Sequence, residues 1–288
     1  MRTSLLTILL VLMTSAAGAQ SKQAYSIYTS EGKKTDYGRM LQELSKADVI
    51  FIGETHNCPV AHWMEYEITS DLIRKSSKGL VLGAEMFETD NQLLVDEYTK
   101  GLISSDKFES EAKLWDNYWT DYASLLYLAR EHQLKFVATN VPRRYASYVK
   151  DNGLEALAGL GEEAKALMAP LPIPFDRTVQ DESMFGMMQM IGGKDHGNSH
   201  FAEAQAVKDA TMAWFISQNF DRKFIHYNGN FHSDNQGGII PYMEQYLPGK
   251  LIITVCCVRQ DSISSLDKEN RYRADFIIAV PTDFPMSY

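Results

Sequence analysis

Six short runs of the chain are almost continuously apolar: 47–53 (ADVIFIG), 79–86 (GLVLGAEM), 134–139 (LKFVAT), 223–227 (KFIHY), 251–258 (LIITVCCV) and 275–280 (DFIIAV). None alternates strictly between apolar and polar residues. That pattern predicts strands covered on both faces, as in a mostly parallel sheet. Between the runs the apolar period lengthens to that of a helix. Residues 60–75 and 121–132 carry it, as does 201–217, where Val207, Ala210 and Trp214 share a stripe; a further helix is expected over 237–246. Strand and helix alternate, which predicts an α/β fold: an open, mostly parallel sheet with helices on both faces.

The stretch from 140 to 197 breaks this rhythm. It holds Pro142, Pro170, Pro172 and Pro174, then a methionine-rich run, MFGMMQM, over 184–190. A helical insert or cap over about 141–200 is expected. No linker or internal repeat marks a second domain, so residues 20–288 are expected to form one.

In such a sheet ligands gather beyond the carboxyl ends of the strands. Gly53-Glu54-Thr55-His56 follows the first run, Glu85 ends the second, Asn140-Val141-Pro142-Arg143 follows the third, and Gly229-Asn230-Phe231-His232 follows the fourth. Two Gly-x-x-His segments thus sit at two strand ends. Glycine lets the chain turn closely there, and the histidine can then serve as metal ligand or general base. Glu54, His56, Glu85 and His232 are therefore the expected catalytic group of a hydrolase. His56, Glu85 and His232 are the expected ligands of a divalent transition metal, which would activate a water. His62 lies six residues beyond His56 and either lines the same cleft or faces solvent; Cys58 between them reads as a free buried thiol.

Three further groups belong to a possible cofactor pocket. Lys194, His196 and His200 follow the methionine run, whose soft side chains suit an apolar ligand. The aromatic run WDNYWTDYASLLY reads mainly as helix packing, with Tyr118 and Tyr122 as exceptions if they reach the pocket, because a tyrosinate can ligate ferric haem. Lys194 or a histidine of that cluster is expected to meet anionic groups, and Asp209 to pair with Arg143 or a site histidine.

Charge and the chain start narrow the setting. The formal net charge of −9 gives no support for nucleic-acid binding. Arg2, the apolar run 5–13 and the small-residue box Ala17-Gly18-Ala19 form a signal peptide, residues 1–19, with the mature chain expected to start at Gln20. No cysteine follows that run, so lipid attachment at a new N-terminal cysteine is not expected; a periplasmic or cell-envelope location is. The other cysteines, Cys256 and Cys257, are neighbours inside an apolar run, and an odd total of three is not a disulfide framework.

Taken together, FIGETH with the later AHW, GAEMF followed by DNQ, YASLLYLARE, ATNVPRR, AQAVKDATMA and HYNGNFH resemble the ChaN-like haem-binding proteins of the Tiki superfamily over 48–258. The resemblance implies an exported bacterial protein that binds haem for iron acquisition, with tyrosine ligation and pockets formed between two subunits of a homodimer. An outer-membrane haem receptor is the implied partner, and Tyr118, Tyr122, Arg143, Lys194, His196 and His200 are the residues expected to bind haem. The wider superfamily includes Tiki-type metalloproteases and erythromycin-esterase-like hydrolases, whose paired Gly-x-x-His segments and glutamate match Glu54, His56, Glu85 and His232 here. Typical relatives are lipoproteins, and this chain departs from them in lacking the cysteine.

Overall fold

All six apolar runs form strands, and every pairing among them is parallel. The computed structural model of the chain describes residues 22–175 and 200–288; the expected signal peptide and the methionine run lie outside them. The strands are β1 (Ser26–Thr29), β2 (Lys34–Thr35), β3 (Val49–Glu54), β4 (Leu80–Glu88), β5 (Lys135–Asn140), β6 (Lys223–Gly229), β7 (Ile252–Gln260) and β8 (Phe276–Pro281). They build one eight-stranded sheet in the order β2-β1-β8-β7-β3-β6-β4-β5. Only the edge hairpin of β1 and β2 is antiparallel to its neighbours.

The described helices are α1 (Tyr37–Leu44), α2 (Pro59–Lys75), α3 (Gln92–Thr99), α4 (Ser105–Glu111), α5 (Ala123–Glu131), α6 (Arg143–Asn152), α7 (Glu162–Lys165), α8 (Phe201–Asn219) and α9 (Ile239–Tyr246). Their ends follow local chemistry. Asp36 caps α1 by accepting the Arg39 N–H at 2.9 Å. Pro59 opens α2, where a missing N–H costs nothing, and Arg74 and Lys75 close it against the negative end of the helix dipole.

Each face of the sheet carries its own core. On one, Ile50 and Ile52 of β3 pack with Met64, Ile68 and Leu72 of α2. On the other, the alternate residues Val49 and Phe51 pack with Val207 and Ala210 of α8 and Ile239 and Met243 of α9. Of the expected insert, the part up to residue 175 holds α6 and α7, and its Val149, Leu157 and Met168 join this second core.

This layering positions the site. β3 and β6 are neighbours in the sheet. The chain leaving β3 enters α2 on the first face; the chain leaving β6 reaches α9 on the second. Adjacent strands whose exits diverge to opposite faces leave a crevice beyond their carboxyl ends, the usual ligand position in an open α/β sheet. Both Gly-x-x-His segments stand at that crevice.

Phe51 is completely buried at the centre of the second core. Phe51→Ala is expected to lower unfolding free energy by about 3–5 kcal/mol in urea titrations, whereas Leu251→Ala, at a half-exposed site, should change it by under about 0.5 kcal/mol.

Candidate functional site

Two glycines let the loops close on each other. A Cβ on Gly53 would stand 2.7 Å from Asn230 Oδ1 and 3.2 Å from the Val255 carbonyl oxygen, and a Cβ on Gly229 would stand 2.8 Å from His56 Nε2. Any side chain at either position would force the loops apart. They are also tied to one acceptor: the Cys257 carbonyl of β7 accepts from Asn230 Nδ2 at 2.7 Å and from Thr55 Oγ1 at 3.3 Å.

Glu54, at the buried end of β3, organises the first loop. Its Oε1 lies 2.6 Å from His56 Nδ1 and accepts the Tyr122 hydroxyl at 2.8 Å. Its Oε2 lies 2.8 Å from Nδ1 of His62, a buried residue of α2. Burial opposes ionisation of Glu54, but the hydrogen bonds from His56 and His62 outweigh it and hold its pKa at about 2. With His56 Nδ1 held by the carboxylate, Nε2 is the nitrogen left for chemistry, and it has no partner among the described residues. Burial disfavours a charge on His56, while the bond to Glu54 and the charge of Glu85 raise its pKa overall.

The second half is built on β4 and β6. A register shift between Ala84 and Glu88 interrupts the β4–β5 ladder. Such a bulge re-aims side chains, and Glu85 falls within it. Glu85 Oε2 accepts the Gly229 backbone N–H at 2.8 Å, and Oε1 lies 3.2 Å from His232 Nε2. His232 Nδ1 lies 2.5 Å from Asp209 of α8. Of the two pairings expected for Asp209, His232 is the one formed. Burial disfavours the His232 imidazolium, but Glu85 and Asp209 push its pKa up to about 10. The same pairing keeps Glu85 well below the usual carboxylate range despite its burial.

A cavity of about 290 Å³ opens over these groups, lined by His56, Glu85, Trp115, Arg143, Lys208 and His232 among others. Glu88, Trp115 and Arg143 also line a larger neighbouring groove of about 910 Å³, to which Lys113 and Arg144 add positive charge. The crevice is thus lined by the His56 and His232 rings, each held by a carboxylate, and has an aromatic and basic rim.

Glu54, His56, Glu85, His232 and Arg143 therefore come together as the strand-end argument predicts. Other expected residues do not join them. Tyr118 is buried in the first core, edge-on to Phe87. Tyr122 is also fully buried and spends its hydroxyl on Glu54, so neither tyrosine presents its oxygen to the cavity. His200 sits at the start of α8, with Nδ1 3.0 Å from Glu203, and lines neither the cavity nor the groove. Lys194 and His196 lie outside the described residues. Cys58 is a buried free thiol, 3.9 Å from the Cys257 sulfur.

Of the expected metal trio, His232 Nε2 lies against Glu85 Oε1 while its Nδ1 is held by Asp209, and His56 Nε2 lines the same cavity. Among the described residues, the three whose ligand atoms all lie within 4.8 Å of one another are Glu54, His62 and Glu65. Sequence reasoning had left His62 undecided and passed over Glu65. The available signal was their spacing, since residues three apart on a helix share a face.

Fold and site define an α/β protein with a crevice beyond the carboxyl ends of a mostly parallel sheet. Residues 40–243 match the family described as haem-binding uptake, Tiki superfamily, ChaN, and the chain belongs to that family. Among solved structures, ChaN of Campylobacter jejuni, solved with cofacially bound haem, has the same fold: TM-score 0.69 and 19% identity, over 88% of this chain and 96% of that one. More distant overlays include an erythromycin esterase EreC variant (TM-score 0.49, 12% identity, 88% and 97% covered). A Bacillus cereus protein overlays with TM-score 0.47 and 12% identity over 84% and 90% of the two chains. A comparison with curated proteins matched none.

His232 gives stability a direction with pH, its pKa being raised from 6.5 to about 10. A pKa raised on folding stabilises fully below the unfolded value, and the contribution is lost as pH climbs toward the folded one. The urea midpoint should therefore fall from pH 7 to pH 10, and His232→Gln should flatten part of that fall. A wild-type midpoint that stays level over this range would show that His232 is not held as a cation.

Proposed function

We propose that this protein binds haem in the groove beside the strand-end crevice and serves a bacterial haem or iron-acquisition system. The observation that carries the reading is the match to the ChaN haem-binding family over residues 40–243. The groove suits the ligand in size and chemistry. Its volume of about 910 Å³ lies near the upper end of ligand sites, roughly 300–1,000 Å³. Trp115 offers an aromatic face for a flat macrocycle, and Arg143 offers a cation for its carboxylates, while Arg144 and Lys113 are paired with Asp90. Haem would bring a ferric iron able to take an imidazole ligand; His56, with Nδ1 fixed by Glu54, has Nε2 to offer. The resemblance further supports export of the mature chain, haem bound between two copies, and delivery from an outer-membrane receptor.

Titrating ferric haem into the purified protein should give a saturable Soret shift. Arg143→Ala should weaken binding roughly tenfold, as expected for one charge-assisted contact of about 1.5 kcal/mol. His56→Ala should change the band positions if His56 ligates the iron. Absence of any saturable shift would overturn the haem reading. In a bacterial host, N-terminal sequencing of the periplasmic fraction should begin at Gln20.

A hydrolytic second reading rests on the Glu54–His56 pair alone. The carboxylate fixes the imidazole tautomer and leaves Nε2 to take a proton from water, with the His232 imidazolium close by to steady a developing negative charge. Turnover of peptide or ester panels that is lost in both His56→Ala and Glu54→Gln would support it; no turnover by the wild-type protein would remove it.

A further inference from the structure

Behind the crevice, on the opposite side of Glu54 from His56, lies a group that neither the haem reading nor the hydrolytic reading uses. His62 and Glu65 stand three residues apart on α2 and are both buried, Glu65 completely. His62 Nδ1 is 2.8 Å from Glu54 Oε2 and 3.4 Å from Glu65 Oε2. The other ring nitrogen, Nε2, is 3.2 Å from the His56 carbonyl oxygen and 3.5 Å from Asp121 Oδ2.

Those distances set the ring's tautomer. Nε2 faces only acceptors, so it carries a proton. A neutral ring would turn the bare lone pair of Nδ1 toward two carboxylate oxygens, so without a metal Nδ1 is protonated as well and serves Glu54 Oε2 at 2.8 Å. Glu65 Oε1 is buried and makes no hydrogen bond among the described residues, and an unmet buried carboxylate oxygen is costly. A divalent metal in place of the Nδ1 proton can bridge both carboxylates, and two carboxylates with a neutral imidazole balance its charge.

We propose that Glu54, His62 and Glu65 bind a first-row divalent transition metal through one imidazole nitrogen and two carboxylates. Nitrogen and oxygen ligands bind zinc at about 2.0–2.2 Å, which sets tetrahedral ligand atoms about 3.3–3.5 Å apart; the His62 Nδ1 separations are 2.8 and 3.4 Å, and all three ligand atoms lie within 4.8 Å of one another. The outer contacts are those of a metal-bound histidine, whose second nitrogen donates to a carbonyl or carboxylate and so fixes the ring. Glu54 keeps its other oxygen on His56 and Tyr122. The metal is therefore a positioning element: it locks the carboxylate that orients the His56 ring. This site is separate from His56, Glu85 and His232.

The test uses the purified, haem-free protein after dialysis against a chelator. Titration with Co²⁺ should saturate at one equivalent, with d–d absorption bands in the visible that Zn²⁺ abolishes. His62→Ala and Glu65→Gln, checked for native far-UV circular dichroism, should lose the bands. His232→Ala should keep them. If the wild-type protein gives no saturable band and retains no metal by elemental analysis, the proposal is overturned, whatever the variants do. It is equally overturned if binding survives Glu65→Gln and disappears in His232→Ala. Neither readout involves haem, so failure here is independent of the haem titration.

Discussion

The site depends on one buried carboxylate. Glu54 ends a central strand with both neighbours paired, where ionisation is heavily penalised unless donors surround it. Three side chains supply them, from three different segments: His56 from the loop just beyond β3, His62 from α2, and Tyr122 from the turn before α5. Satisfying one anion therefore fixes the loop after β3, the first turns of α2 and the approach of α5. Glu85 repeats the logic on β4, drawing in the Gly229 N–H and His232, and through His232 the Asp209 carboxylate on α8. The two anions lie at the ends of different strands, and the crevice is the space between their donor shells.

The central sheet was legible because buried parallel strands leave a plain trace: runs such as VIFI in β3 and IITVCCV in β7 have no polar alternation to obscure them. The edge hairpin left none. β2 has two residues, and β1 reads SIYT, too short for any period to emerge. The strand-end residues were legible for a related reason. A sheet of this type sends whatever follows each strand toward one edge, so Glu54, His56, Glu85 and His232 could be grouped from order alone.

What the sequence concealed was the direction of side chains within helices and turns. Tyr118 and Tyr122 stand in an aromatic-rich run where pocket lining and core packing look alike. Here a π-helical turn over Tyr118–Tyr122 directs both inward. His62 and Glu65 sit among apolar residues of α2, so their shared face looked like an ordinary buried stripe until Glu54 was seen to lie against it. Three ligand-type residues at strand ends likewise do not reveal that Asp209 holds one nitrogen of His232.

The divergence of α2 and α9 to opposite faces also bears on how such a protein can change over time. The His56 half of the crevice is anchored mainly in the layer beneath α2, and the His232 half in the layer beneath α8 and α9. The two halves meet along a seam, the β3–β6 ladder, where Gly229 stands close to the His56 ring and Gly53 close to Asn230. Substitutions that repack one layer can shift one half of the crevice by fractions of an ångström while the other stays put. A family with this architecture can drift from one ligand to another by altering the fit across the seam, with no residue at the crevice itself exchanged.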